Sequence, residues 1–282
     1  MIKQDSRIIW CLLKKHKWKI SLIYTYVFVA QLLFLVEPYL LGNAIDYSLK
    51  GDHCYLILLL GVFLLENFFM YRRMVYDTKV YTDIYNEIVL DYLKKDKTSD
   101  ISTKMARTDI AFSLINFLEC DLHYILMSIM TIIGSLYFIF IENSLTGFAV
   151  ILCVVPIIFI VKILYKKIAK ATRIANTHYE QKATIFNTED ISVIETFYKR
   201  RKRVVVASST LQGQNWASLN SVKSFFLVLA VIVFTTYGSN VSQGSMVAMY
   251  AYINQFLISL LSIPVSMEIY SRIKDALHRI DI

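Results

Sequence analysis

The chain has 282 residues, of which 56% are hydrophobic and 18% are charged, and its formal net charge is +8. Charged residues make up about a quarter of a typical soluble domain, and Gly and Pro together about 12%. With only 8 Gly and 3 Pro, the composition excludes a disordered chain, a collagen-like chain and a turn-rich β protein. The charges also occur in blocks between long apolar segments, which excludes a soluble globular protein.

Long segments without charge predict six membrane-spanning helices. A spanning helix needs about 20 consecutive apolar residues. The segment Ser224–Met267 carries no charge over 44 residues, which is too long for one span, so the turn-like residues 238–244 divide it in two. The predicted fold is therefore an all-α membrane protein with a transmembrane domain over 20–267 and spans near 20–41, 55–72, 122–141, 146–163, 222–238 and 245–267.

The distribution of basic residues predicts the orientation of these spans. If the N-terminus is cytoplasmic, Lys50 is the one member of the 30 Lys and Arg residues that falls in an external loop. Because Lys and Arg concentrate in cytoplasmic loops, we expect both termini to be cytoplasmic. The net positive charge then reflects membrane topology and does not indicate a nucleic-acid partner.

The two long cytoplasmic connections, 72–121 and 162–221, contain no Pro and a single Gly, Gly213. Loops longer than about 15 residues are seldom structureless in a compact protein, so we predict helices that project far into the cytoplasm. Residues 1–19 mix basic and apolar residues, which is typical of an amphipathic helix at the membrane surface. Residues 268–282 are predicted to be a cytoplasmic exit helix.

Each projection is predicted to turn at a short polar break. The first break spans 95–104 and offers Ser99 and Asp100 as helix N-caps, followed by Ile101. The second break surrounds Glu189 and precedes a predicted short helix. On that helix Ile191, Ile194 and Tyr198 share one apolar face, with Phe197 beside it.

Three stretches resemble the transmembrane domain of ABC exporters. Residues 37–46 read Glu-Pro-Tyr-Leu-Leu-Gly-Asn-Ala-Ile-Asp and are similar to the Pro-x-x-x-Gly-x-x-x-Asp end of that family's first span. Residues 189–199 are similar to its second cytoplasmic turn. Residues 244–256, with Pro264 and 271–280, are similar to its sixth span and exit helix.

The resemblance implies partners that residues 1–282 do not supply. In ABC exporters a nucleotide-binding domain usually follows the exit helix, and no G-x-x-x-x-G-K-[ST] phosphate-binding motif occurs in this sequence. The chain is therefore expected not to be an enzyme, to bind no cofactor or metal itself, and to work with a separate ATPase chain that binds ATP and Mg²⁺. The family further implies a dimer with a second copy or a related transmembrane subunit, in contact with membrane lipid. Candidate residues for docking the ATPase are Ser99, Asp100, Ile101, Glu189, Ile191, Ile194, Phe197 and Tyr198.

Glu66 is the most distinctive candidate for contact with a substrate. It falls in the predicted second span, and an acid within a membrane span usually faces a cavity or a partner. Its functional interpretation is a site for a substrate cation or a proton, and its structural interpretation is a protonated acid bonded to a neighbouring helix. Glu37 is interpreted as an interfacial carboxylate before a Pro kink, and His123 as a packed hydrogen-bonding residue. Further cavity candidates, which helix packing would equally explain, are Tyr24, Tyr26, Tyr237, Tyr250 and Tyr252.

The sequence thus predicts the membrane-spanning subunit of an ABC-type exporter. Its task would be to move a small amphipathic molecule or peptide across the bacterial inner membrane. Two alternatives stay open. One is a proton-driven transporter with the same membrane fold, in which Glu66 carries the proton. The other is a membrane sensor or assembly subunit that transports nothing, which a tightly packed central cavity would favour.

Overall fold

The computed structural model describes residues 14–95, 101–180, 185, 190–238 and 241–280, and no strand occurs among them. A π-helical turn at Phe117–Asp121 joins the third helix to the fourth. The helices are α1 Lys17–Ser48, α2 Cys54–Lys95, α3 Ile101–Asn116, α4 Leu122–Glu142, α5 Ser144–Ile151, α6 Val154–Glu180, α7 Ile191–Tyr237 and α8 Gln243–Ile280.

Six helical segments are long and apolar enough to cross a membrane, as the sequence predicts. These segments are Lys17–Ser48, Cys54–Lys94, Ala111–Glu142, Ser144–Leu164, Ile191–Tyr237 and Gln243–Ile263. Several of them continue well beyond the length a bilayer requires. The 42 residues of α2 extend about 63 Å at 1.5 Å per residue, about twice the hydrocarbon thickness.

Local structure differs from the sequence prediction at two places. The segment after Asp190 is not a short helix, because it continues without a break as the 47-residue α7. The predicted fourth span is divided into α5 and α6 by a turn at Leu152 and Cys153. Pro156 explains this turn, since its ring clashes with the carbonyl of Leu152 four residues earlier and it has no N–H to donate.

The chain forms two compact units, one made of residues 1–145 and 234–282 and the other of residues 146–233. The first unit contains α1 to α4 and α8, and the second contains α6 and most of α5 and α7. In the first unit, one apolar cluster joins α1, α2 and α3 through Ile23, Val80, Tyr81, Ile84, Ile88 and Ile115. A second cluster, Leu40, Leu59 and Val62, joins α1 to α2 near their short connection. Ahead of α1, Lys15 and His16 contact Glu87 of α2 at 3.0 and 3.4 Å.

Candidate functional site

Two carboxyl groups adjoin each other between α1 and α2. Glu37 on α1 and Glu66 on α2 are both half-buried, and their side chains interact directly. The Oε1 atom of Glu37 is buried and has no hydrogen-bond partner among the described residues. A pair of adjacent carboxyl groups offers several oxygen atoms to one shared proton or to one bound cation.

The sequence analysis singled out Glu66 but separated it from Glu37, which it interpreted as an interfacial residue. A signal for the pairing was present in the positions of the two acids. Glu37 lies twelve residues before Leu49 and Glu66 lies thirteen residues after His53, the residues that bound the connection between α1 and α2. In an antiparallel helix pair, residues at matching distances from the turn lie at the same height.

The five tyrosines predicted to line a cavity fall into two groups. Tyr26 of α1 contacts the rings of Phe69 and Tyr76 on α2, with centroids 6.1 and 6.4 Å apart, and Tyr24 bonds to Tyr81. Tyr252 of α8 is 2% exposed and stacks on Phe138 of α4 at 4.8 Å. Tyr24, Tyr26 and Tyr252 therefore pack between helices. By contrast, Tyr237 and Tyr250 are exposed.

Side chains of α8 bond to two backbone carbonyls of α1 next to Pro38. Pro38 has no N–H, so the carbonyl four residues earlier, that of Phe34, loses its helical partner. The Nε2 group of Gln255 approaches the Phe34 oxygen at 3.5 Å, and the Tyr252 hydroxyl donates to the Leu35 oxygen at 3.1 Å. Both bonds tie α8 to α1 at the point where α1 is weakest.

The same two helices meet most closely where α1 ends and α8 begins. A Cβ atom on Gly42 would lie 2.7 Å from the Gly244 carbonyl oxygen, and one on Gly244 would collide with the Gly42 oxygen. Asp46, one turn beyond Gly42, accepts hydrogen bonds from the Ser242 hydroxyl and from the Gly244 N–H at 2.8 Å. Pro38, Gly42 and Asp46 follow one another at intervals of four residues, so they bring a missing backbone N–H, a close approach and a carboxylate cap to one face of the helix.

A cluster of polar side chains adjoins the π-helical turn. Arg73 and Asp77 of α2 are both buried and form an ion pair at 3.5 Å. Thr78 donates to a carboxylate oxygen of Glu119 at 2.7 Å, and Nδ1 of His123 lies 2.7 Å from the Glu119 backbone oxygen. His123 is buried and hydrogen-bonded, in keeping with its interpretation as a packed residue. The sequence analysis did not single out Arg73 and Asp77, although their spacing of four residues is that of a helical ion pair.

The structure describes some of the predicted ATPase-docking residues. Ser99, Asp100 and Glu189 lie outside the described residues. Ile101 at the start of α3 and Ile191 at the start of α7 are 78% and 80% exposed, and Tyr198 is exposed as well. Ile194 is half-buried, whereas Phe197 is buried. Asp190 caps α7 by accepting from the Ser192 N–H and hydroxyl at 2.8 and 2.7 Å.

In the part of the chain that the structure describes, no three or more His, Cys, Asp or Glu side chains come together as a metal site would require. The described cysteines Cys54, Cys120 and Cys153 carry free thiols. The functional features of this region are therefore an acid pair, a polar cluster and exposed helix starts, and none of them forms a nucleophile with an adjacent base.

A family model described as the ABC transporter transmembrane region matches residues 9–244. Because the match covers most of the chain, the protein belongs to this family and is a membrane-spanning subunit or domain of an ABC-type transporter. The helical structure of the described residues, with its six candidate spans, agrees with this membership, and the matched region is a transmembrane region alone. No curated protein matches the chain.

Proposed function

We propose that this chain is the membrane subunit of an exporter in the bacterial inner membrane. In this proposal it moves a small amphipathic molecule or peptide, pairs with a second copy or a related transmembrane subunit, and is powered by a separate ATPase chain. The observation that carries the proposal is the length of the helices beyond their apolar segments.

The projection of α7 illustrates the argument. Its first 33 residues, Ile191–Lys223, precede the charge-free part of the helix and extend about 50 Å at 1.5 Å per residue. A chain that had only to connect two spans would need a few residues. A continuous helix of this length, with a capped start and the exposed side chains of Ile191 and Tyr198, is suited to transmit movement from a partner at its tip to the membrane.

The partner is proposed to be an ATPase because the chain belongs to an ABC transporter family and residues 1–282 contain no P-loop motif. ATP and Mg²⁺ would be bound by that partner. Burial of apolar side chains such as Ile191 and Ile194 against it would contribute about 1.5–3 kcal/mol each.

Membrane orientation is tested first, in a variant whose native cysteines are replaced. A cysteine at Ser48, next to the short connection between α1 and α2, is expected to react with an impermeant thiol reagent added outside the cell. A cysteine at Ser102, near the start of α3, is expected to react only after the membrane is permeabilised. The reverse pattern would reject cytoplasmic termini.

Energy coupling is tested by Ile194→Asp, which places a charge on the face proposed to contact the ATPase. The variant is expected to stay in the membrane and to lose the P-loop ATPase that co-purifies with the wild-type chain. Val206→Asp is the matched control, because Val206 is an exposed apolar residue of α7 about 18 Å further along the helix. Retention of the ATPase by Ile194→Asp would contradict the docking proposal.

A second candidate function, proton-driven transport, is favoured by the contact between Glu37 and Glu66. In that case Glu66→Gln would abolish uphill transport of every substrate, since the coupling proton loses its carrier. If transport is ATP-driven, we expect Glu66→Gln to weaken transport of a lipophilic cation and to leave a neutral amphiphile nearly unaffected. Glu37→Gln should reproduce the Glu66→Gln result, because the two carboxyl groups form one site. Transport driven by a pH gradient in purified protein without any ATPase would establish the second candidate.

A further inference from the structure

Short connections hold the helices together in pairs at one end of the molecule. Residues 49–53 join α1 to α2, Asn143 joins α4 to α5, and α7 ends at Tyr237, six residues before α8 begins at Gln243. Under the proposed topology this end faces outside. Because the members of each pair are tied by a few residues, a passage that opens outward has to run between pairs.

Only contacts between different pairs can therefore keep the outer side closed. Side-chain hydrogen bonds at this end join different pairs. Asp46 of the first pair accepts from Ser242 and Gly244 of the third. Asn143, between the helices of the second pair, donates to the Tyr237 backbone oxygen at 3.1 Å.

The Asp46 contact has the features of a specific lock. Ser242 and Ser245 cap the start of α8 reciprocally, each donating its N–H to the other's hydroxyl at 2.8 and 2.9 Å. The Asp46 carboxylate is thus held against a helix N-terminus, where free N–H groups and the helix dipole favour a negative charge. The backbone contact between Gly42 and Gly244 brings this N-terminus close enough for Asp46 to reach it.

Pro38 places a point of bending two turns before Asp46. At that point α1 lacks the hydrogen bond to the Phe34 carbonyl. Gln255 of α8 approaches that carbonyl, and Tyr252 of α8 donates to the neighbouring carbonyl of Leu35. Separation of α8 from α1 would remove both of these supports together with the Asp46 contact. The helix is therefore most easily bent when α8 leaves it.

We propose that Asp46 and the N-terminus of α8 form an outer latch, and that α1 bends at Pro38 when the latch opens. The latch is closed in this structure. Its role in release rests on the proposed export function, whereas its effect on the distance between the two helix ends does not depend on transport.

The distance is measured between spin labels at Leu49→Cys and Gln243→Cys, both exposed sites, in a variant without native cysteines that is reconstituted in lipid nanodiscs. With Asp46 intact, one short distance is expected. Asp46→Ala is expected to add a population at longer distance. Asp52→Ala is the control, because Asp52 is also an acid at this end but accepts from the Cys54 N–H within its own hairpin. An unchanged distance distribution in Asp46→Ala overturns the latch.

A covalent lock tests the role of the latch in transport. Asp46→Cys combined with Ser242→Cys places two thiols where the native side chains are hydrogen-bonded. Oxidation with diamide is expected to abolish export, and an impermeant reductant is expected to restore it. Full export by the cross-linked protein overturns the proposal. If the wild-type chain itself exports nothing, the export function fails, and the spin-label distances still decide whether the latch exists.

Discussion

Side-chain hydrogen bonds that join helices of the first unit can be compared with those that stay within α7. In the unit that contains α1, α4 and α8, polar side chains reach from one helix to another. Examples are Gln31 to Thr131 at 2.7 Å and Ser262 to Ser128 at 2.8 Å. On α7, Thr196, Thr210 and Asn220 donate to backbone carbonyls one turn earlier in the same helix.

This difference indicates how each unit reaches a defined structure. Lipid tails are as apolar as Leu, so helices in a membrane associate through close packing and hydrogen bonds rather than the hydrophobic effect. The first unit has both, including the contact of Gly42 with Gly244. The membrane part of α7 exposes large apolar side chains, among them Phe225, Val228 and Ile232. We therefore expect the first unit to be sensitive to small substitutions and the second to depend on what surrounds it.

The largest expected difference is between two separate variants, each of which adds one methyl group at a glycine. Gly244→Ala would place its Cβ against the backbone of Gly42 and the carboxylate of Asp46, which cannot yield as a flexible side chain would. Overpacking of this kind costs about 1–3 kcal/mol or more. Gly213→Ala on α7 meets no atom within 4 Å and is expected to stabilise the helix by about 0.5–1 kcal/mol.

Thermal unfolding of the detergent-purified variants measures both effects. Gly244→Ala should lower the Tm or prevent accumulation of folded protein, and Gly213→Ala should leave the Tm unchanged or raise it. Equal effects of the two variants would remove the distinction between the units.

A smaller effect is expected from removing one hydrogen bond in each unit. Gln31→Met keeps the length of a buried side chain but loses the bond to Thr131 of α4. Interhelical hydrogen bonds in membrane proteins contribute about 0.6 kcal/mol on average and about 1.7 at most. Thr210→Val loses a bond within α7 at an exposed position, where substitutions usually change stability by less than about 0.5 kcal/mol. Unfolding by denaturant in mixed micelles compares the two, and a larger loss in Thr210→Val would contradict the comparison.

The smallest expected effect is local and depends on pH. Hydrogen bonds from Ser192 hold the pKa of Asp190 below its usual value of 3.8. The folded helix start therefore favours the ionised carboxylate, and this stabilisation is present at neutral pH and is lost as the pH falls through the lowered pKa. At pH values below 3.8, the protection factor of the Ser192 amide in hydrogen exchange should decrease. It should be low at every pH in Asp190→Ala and unchanged in Glu195→Ala, whose carboxylate pairs with Lys199 instead.

Much of the architecture follows from local sequence patterns. Charge-free apolar segments such as Ser224–Met267 are too long to be buried inside one small domain and are stable in lipid, so they predict membrane spans directly. The scarcity of Gly and Pro between residues 162 and 221 predicts a helical projection, since nothing there interrupts backbone bonding. The sequence analysis did not predict the turn before Pro156 or the π-helical turn at Phe117–Asp121. A single Pro leaves the apolar pattern of the span unchanged, and so does one extra residue in a helical turn.

The sequence by itself determined the spans, the helical projections and the resemblance to ABC exporters, because each depends on properties of neighbouring residues. The tertiary structure decided which distant residues meet. It brought Glu37 to Glu66, placed Tyr252 at the carbonyl of Leu35 and set Asp46 at the start of α8. These contacts depend on the rotation and height of one helix relative to another, and a difference of one residue turns a side chain by about 100°. Apolar composition does not specify that rotation, whereas the close approach of Gly42 and Gly244 does.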